Sequence, residues 1–158
     1  MRTVASGRLG FNDQTACCTS ASKLGDPPAI FNEGLAVYIS EKLGADALKY
    51  LGSPRKTVDQ AAELFVKDGK LIKLEELIKF TEIGSEKSKP PTSYAEAASF
   101  VKYLIETYGA QKFRETYQKT QNSDESNDVL KNSEVLREIY GKPLSDIEVD
   151  WLHKIATP

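Results

Sequence analysis

A chain of 158 residues with 40 % hydrophobic content is long enough for one domain with a modest core. Its formal net charge of −2 gives no general electrostatic reason to bind nucleic acid or an anionic membrane. Because no apolar run approaches the roughly 18 residues of a membrane-spanning helix, we expect a soluble helical domain without membrane insertion.

Residues 1–26 carry few signals of secondary structure, because polar residues and glycines interrupt them and their apolar residues follow no period. We interpret them as a loosely ordered lead-in to a domain that covers residues 27–158. They lack the apolar core of a secretory signal, and the compartment of the protein stays open. The adjacent Cys17 and Cys18 cannot join distant parts of a fold. Without a second cysteine pair, a reduced pair in a loop is favoured over a zinc or redox site.

The first helix is predicted directly after Pro27 and Pro28, which stop any preceding element and pre-set a helical first turn. Apolar side chains at helical spacing and a terminal glycine support it: Phe31, Leu35, Tyr38, Ile39 and Gly44. Glu33 lies one turn into this helix among apolar neighbours. Burying a carboxylate there is costly unless a cation or hydrogen-bond donors meet it, so Glu33 is the first residue that suggests chemistry.

Start signals and glycine stops indicate further helices. Three capping boxes, in which two side chains bond the backbone at a helix start, are predicted for Thr57 with Gln60, Ser93 with Glu96, and Ser145 with Glu148. We expect helices near 57–68, 93–108 and 145–155, and shorter ones near 74–80, 110–120 and 128–140. The charged, proline-rich residues 84–91 should form a surface loop. The predicted fold is all-α, an irregular bundle of about six or seven helices.

The segment Asn32–Tyr38, Asn-Glu-Gly-Leu-Ala-Val-Tyr, resembles the second half of the active site of gluzincin zinc metallopeptidases. These form the peptidase MA-like group, which includes aminopeptidase-N-type enzymes. In that family a helix with His-Glu-x-x-His supplies two zinc ligands, and a downstream glutamate supplies the third. The resemblance implies that Glu33 is this third ligand, in a hydrolase with a zinc cofactor and a peptide substrate.

Later segments extend the resemblance over nearly the whole chain after the lead-in. Tyr94, at the start of the helix predicted near 93–108, matches the family's tyrosine, whose hydroxyl steadies the oxyanion formed when water attacks a peptide carbonyl. Two further segments are similar to family motifs in order and spacing: Tyr108–Arg114 and Tyr140–Leu152. Because both matched residues converge on one zinc ion in the family, the resemblance implies that Glu33 and Tyr94 face the same groove.

The half of the zinc site that carries histidines is missing from the sequence. The family's spacing would put the histidine pair within about residues 1–14, but the only histidine is His153, near the other end. Catalytic zinc needs about three protein ligands, and one carboxylate does not hold the ion. We therefore expect the chain alone to bind zinc weakly and to have no peptidase activity. The alternative function is that of a non-catalytic helical interaction domain or pseudo-enzyme.

A structural role competes with each functional interpretation. Glu33 is alternatively a helical glutamate held by backbone N–H groups or an arginine, and Tyr94 an aromatic residue packed on the core. His153 is interpreted as a surface or satisfied histidine. Asn32 is interpreted as a polar residue near a helix start, and Gly34 as a small residue that allows close helix approach.

The missing catalytic helix also has a consequence for packing. Its absence should leave apolar side chains of the first helix, such as Phe31, Leu35 and Tyr38, facing water or the lead-in. We expect this apolar groove to favour self-association or a protein partner.

Overall fold

The computed structural model describes residues 25–49, 52–54 and 56–157. These residues form seven α-helices: α1 (Ala29–Lys42), α2 (Val58–Lys67), α3 (Leu74–Leu77), α4 (Pro90–Tyr108), α5 (Ala110–Lys119), α6 (Ser126–Tyr140) and α7 (Leu144–Ala156). A short 3-10 helix, Glu86–Ser88, lies between α3 and α4. The β-type contact found among them is an isolated bridge between Asp26 and Gln121. The predicted all-α bundle is therefore confirmed.

Helix α4 is the central element, because α1 and α2 both pack against it. Helix α1 runs parallel to α4: Gly34 faces Ala97, and further along the Lys42 Nζ lies 3.3 Å from the Glu106 Oε1. A Cβ atom on residue 34 would lie 2.5 Å from the carbonyl oxygen of Ala97. Only glycine lets the two backbones approach so closely, and the interpretation of Gly34 as a close-approach residue is confirmed.

Helix α7 joins the core through a buried tryptophan. The Trp151 ring packs edge-on to Phe100, with 5.6 Å between centroids, and its Nε1 donates a hydrogen bond of 3.0 Å to Ser99. Ser99 donates in turn to Asp59 at 2.7 Å, and Lys102 Nζ lies 2.6 Å from the second carboxylate oxygen of Asp59. This network satisfies the buried polar groups and ties α2, α4 and α7 together.

The helix starts differ from the predicted capping boxes at two of three positions. At Thr57 the box is present, because its hydroxyl accepts from the Gln60 N–H at 3.2 Å and the Gln60 side chain accepts from the Thr57 N–H. The boxes predicted at Ser93 and Ser145 are wrong. Helix α4 begins earlier, at Pro90, and α7 directly follows a proline, both without a side-chain cap. Proline has no N–H to satisfy and a fixed helical φ, so it starts a helix unaided.

The glutamates of the two absent boxes bind another part of the backbone. Both carboxylate oxygens of Glu96 lie 3.2 Å from the N–H nitrogen of Ile72. Glu148 accepts a hydrogen bond of 2.8 Å from the N–H of Leu74. Two side chains from α4 and α7 thus fix the segment that enters α3.

Two of the three apolar side chains that were expected to face water or the lead-in are buried. Phe31 has no exposed surface and Tyr38 is 5 % exposed. Helix α5 covers this part of α1, since the Phe31 ring packs edge-on to Phe113 with 6.2 Å between centroids. Leu35 is half-buried.

Residues 1–24, including Cys17 and Cys18, lie outside the described residues, so the lead-in and its boundary with the domain stay predictions. His153 is exposed, as expected for a surface histidine. No helix of the described part combines the length and the apolar character needed to cross a membrane.

Candidate functional site

Glu33 and Tyr94 occupy equivalent places on two parallel helices. Each is the fifth residue of its helix, Glu33 in α1 and Tyr94 in α4. Because Gly34 brings the two backbones together near Ala97, the N-terminal turns of both helices lie at the same end of the bundle. Gly34 directly follows Glu33, and Ala97 lies three residues after Tyr94, so this contact brings the carboxylate and the phenol to the same end of the bundle.

The pKa of Tyr94 responds to the charge of Glu33. Burial of the phenol raises the pKa of Tyr94, and the negative charge of Glu33 raises it further. The carboxylate and the hydroxyl thus lie within electrostatic reach of each other.

The carboxylate of Glu33 is half-buried and has no hydrogen-bond or ion-pair partner within the described part of the chain. The structural alternative, in which backbone N–H groups or an arginine hold it, finds no such donor there. A partly desolvated carboxylate without a donor keeps its oxygens available for a ligand.

The Tyr94 hydroxyl already has a partner in the main chain. It donates a hydrogen bond of 2.9 Å to the carbonyl oxygen of Ile83, in the loop before α4. The next residue, Gly84, lies so close that a Cβ atom on it would be 3.5 Å from the hydroxyl. Besides the second turns of α1 and α4, the Ile83–Gly84 peptide therefore lies at the Tyr94 hydroxyl.

The described residues do not by themselves fit a catalytic zinc ion. Among them there is no group of three or more histidine, cysteine, aspartate or glutamate side chains that could hold a metal. Glu33 is the acidic residue whose charge acts on Tyr94, and the exposed His153 lies on α7. One carboxylate oxygen donor falls short of the usual three protein ligands.

Glu96 is the ionisable residue whose surroundings the sequence did not reveal. It is fully buried, and burial raises its pKa to about 8. The charge of Glu148 adds to the rise, whereas the Ile72 N–H and the charge of Lys89 oppose it. The sequence signal that could have revealed this is the proline pair that starts α4. A helix that begins at Pro90 places Glu96 almost two turns from its N-terminus, where the side chain cannot form a capping box.

A separate apolar groove lies between α1 and α5. It has a volume of about 420 Å³ and is lined by Leu35, Phe113, Arg114, Tyr117 and Gln118. The Tyr117 hydroxyl donates a hydrogen bond of 2.9 Å to the Asn32 side chain, which joins the groove to the start of α1.

Comparisons with protein-family models, with curated proteins and with solved structures found no match for this chain. The geometry of the described residues and the motifs of the sequence are therefore the basis for any functional assignment.

Proposed function

We propose that this chain is the C-terminal helical part of a zinc metallopeptidase domain of the gluzincin, peptidase MA-like type. Glu33 is proposed as the zinc-binding carboxylate, and Tyr94 as the residue that stabilises the oxyanion of a bound peptide. The observation that carries the proposal is the position of these two residues in the second turns of parallel helices, within electrostatic reach of each other. The unpartnered carboxylate of Glu33 and the resemblance of Asn32–Tyr38 to the family motif support it.

The proposal assigns the chain alone weak zinc binding and no peptidase activity, because the sequence contains one histidine and no His-Glu-x-x-His. Isothermal titration with zinc should give a dissociation constant weaker than about micromolar. Binding at micromolar concentration or tighter that disappears in Glu33→Ala would show that further ligands exist in this chain.

The identity of the family is tested by reading the genomic DNA immediately 5′ of the Met1 codon. We expect an in-frame segment that encodes His-Glu-x-x-His. In the extended chain, Glu33→Gln should weaken zinc binding by more than about tenfold, because it removes one of the three protein ligands. The control Glu75→Gln, at an exposed position of α3, should leave zinc binding unchanged.

Tyr94→Phe in the extended chain separates binding from chemistry. Zinc affinity should stay at the wild-type value, and kcat should fall by about a hundredfold, the usual effect of losing one oxyanion donor. An unchanged kcat would remove Tyr94 from the proposed site. An upstream sequence without the histidine motif would leave the non-catalytic alternative.

That second candidate, a helical interaction domain, is favoured by the groove between α1 and α5. Arg114 stands at its edge without an ion-pair partner in the described residues, next to the apolar side chains of Leu35 and Phe113. We propose that this groove binds a partner segment that presents an apolar side chain beside a carboxylate.

Anilinonaphthalene sulfonate, which combines an apolar ring system with an anionic group, is a suitable probe for the groove. We expect its fluorescence to rise with wild-type protein and to fall several-fold with Leu35→Lys and with Arg114→Ala. The control Lys119→Ala removes a charge from the same helix and should have no effect. Equal dye binding by all variants, together with a monomer in sedimentation, would contradict a docking role for this groove.

A further inference from the structure

The hydroxyl of Tyr94 is committed to the main chain in the described conformation. A tyrosine carries one O–H proton. Tyr94 donates that proton to the carbonyl oxygen of Ile83, at an oxygen–oxygen distance of 2.9 Å. While this bond lasts, Tyr94 has no proton left to donate to a bound molecule.

The peptide unit that accepts this bond is held at both ends. The carbonyl of Ile83 and the N–H of Gly84 belong to one rigid plane. The N–H donates to the Ser88 hydroxyl at 2.9 Å, and Ser88 donates to the carbonyl oxygen of Ser85 at 2.7 Å. Ser88 is 3 % exposed, so water does not compete for its hydroxyl. Rotation of the plane breaks both bonds at once.

Gly84 makes a second orientation of this plane accessible. Its φ is +135°, a value that favours glycine. Rotation of the peptide plane by about 180° brings the φ of Gly84 to about −45°, which any residue adopts. The loop can therefore take a second backbone arrangement, and a side chain at position 84 would favour it.

The rotation reverses the hydrogen bonding of Tyr94. In the rotated arrangement the Gly84 N–H, instead of the Ile83 carbonyl, points at the phenol oxygen. Tyr94 then accepts a hydrogen bond and its proton is free. A phenol that accepts from an N–H is more acidic than one that donates to a carbonyl.

We propose that the Ile83–Gly84 peptide is a latch on Tyr94, and that Ser88 is the positioning residue that holds the latch closed. The latch determines whether Tyr94 can donate to the carbonyl oxygen of a bound peptide. This use of the freed proton rests on the proposed function, whereas the latch itself is a property of the loop and of Tyr94.

The latch is tested in the full chain by titrating the tyrosines with ¹³Cζ labels and NMR, with Tyr94→Phe to assign the resonance. Ser88→Ala removes the acceptor of the Gly84 N–H. We expect the acid dissociation constant of Tyr94 to rise at least threefold. The matched control Ser85→Ala removes a hydroxyl that takes no part in the latch, because Ser85 contributes its carbonyl, and should leave Tyr94 unchanged.

Gly84→Ala tests the same latch through the backbone and keeps it testable if Ser88→Ala does not fold. Alanine disfavours a φ of +135°, so the rotated arrangement gains population and the acid dissociation constant of Tyr94 should again rise. In Tyr94→Phe, hydrogen exchange of the Gly84 N–H should become several-fold faster, because the peptide plane loses one of the two hydrogen bonds that fix its orientation. An unchanged Tyr94 titration in a folded Ser88→Ala or Gly84→Ala protein would overturn the latch.

These measurements need neither zinc nor a peptide. If the Tyr94 titration shifts as expected but the extended chain has no peptidase activity, the proposed function is contradicted and the latch is not. If the extended chain has peptidase activity but the Tyr94 titration is unchanged in Ser88→Ala and Gly84→Ala, the latch is contradicted and the proposed function is not.

Discussion

Two glutamates on neighbouring parallel helices have opposite surroundings. Glu96 of α4 is fully buried, accepts from the Ile72 N–H, and has its pKa raised to about 8. Glu33 of α1 is half-buried, has no donor in the described residues, and acts through its charge on Tyr94. The fold uses one carboxyl group as a hydrogen-bond acceptor, whereas the other has no hydrogen-bond partner among the described residues.

The difference shows how a buried acid is to be interpreted in this bundle. A carboxyl group that is enclosed and bonded to the main chain is a structural element, whatever its pKa. A carboxylate at the end of the bundle, beside a phenol and without a donor, is the better candidate for ligand binding. Substitutions at the two places should therefore have effects of different size and kind.

Among substitutions compared at one pH, the largest loss of stability is expected at the contact between Gly34 of α1 and Ala97 of α4. Gly34→Val puts a branched side chain where even a Cβ atom lies 2.5 Å from the Ala97 carbonyl oxygen. The helices must separate, at a cost of about 3 kcal/mol in the free energy of unfolding. Ala36→Val, at an exposed position of the same helix, should cost about 0.5 kcal/mol. Similar urea midpoints for the two variants would contradict the close approach.

A change of pH should have its largest effect on stability through Glu96. Its pKa is about 8 in the folded protein, against an ordinary value of 4.5. The folded state therefore holds the proton more tightly, and this stabilisation is complete below pH 4.5 and is lost as the pH rises through 8. Relative to Glu96→Gln, the wild type should lose on the order of 4 kcal/mol across this range.

Urea unfolding of both proteins at several pH values measures this difference. Glutamine stays neutral and keeps an acceptor for the Ile72 N–H, so Glu96→Gln should lack this part of the pH dependence. Parallel pH profiles for the wild type and Glu96→Gln would mean that Glu96 titrates as an ordinary glutamate.

A smaller effect is expected at Glu148, the second glutamate that binds the segment before α3. Glu148→Ala leaves the Leu74 N–H without its acceptor and should cost about 1–2 kcal/mol of stability. Ser145→Ala is the matched control, because α7 has no capping box at that residue, and it should change stability by less than about 0.5 kcal/mol. A larger loss in Ser145→Ala than in Glu148→Ala, by thermal unfolding, would restore the predicted box.

The smallest effect on stability is expected at Glu33 itself. Glu33→Gln removes no hydrogen bond or ion pair of the described residues, so the free energy of unfolding should change by less than about 0.5 kcal/mol. A loss as large as that of Glu148→Ala, measured in the same urea experiment, would show that Glu33 is a structural glutamate after all.

Local signals predicted much of the fold. Helical periodicity located α1, α4 and the other helices, and the capping box at Thr57 is present as predicted. Gly34 was predictable as a close-approach residue because it lies inside an apolar helix. Helical periodicity and the capping box depend on residues within one or two turns of each other.

Contacts between distant residues escaped prediction. The Ser93 box failed because Pro90 starts the helix, and Glu96 instead accepts a hydrogen bond from the N–H of Ile72, 24 residues earlier. Phe31 was expected to face water or the lead-in, but its ring packs against Phe113 of α5. The bond from Tyr94 to the Ile83 carbonyl likewise depends on a loop path that no periodicity encodes.

The pairing of Glu33 with Tyr94 is tested most directly by the titration of Tyr94 in Glu33→Gln. Because the negative charge of Glu33 contributes to the raised pKa of Tyr94, its removal should lower that pKa. The control Glu75→Gln removes a charge from exposed α3 and should leave the Tyr94 titration unchanged. ¹³C NMR of labelled tyrosine measures all three proteins. A Tyr94 pKa in folded Glu33→Gln equal to that of the wild type would show that the two residues do not share a site.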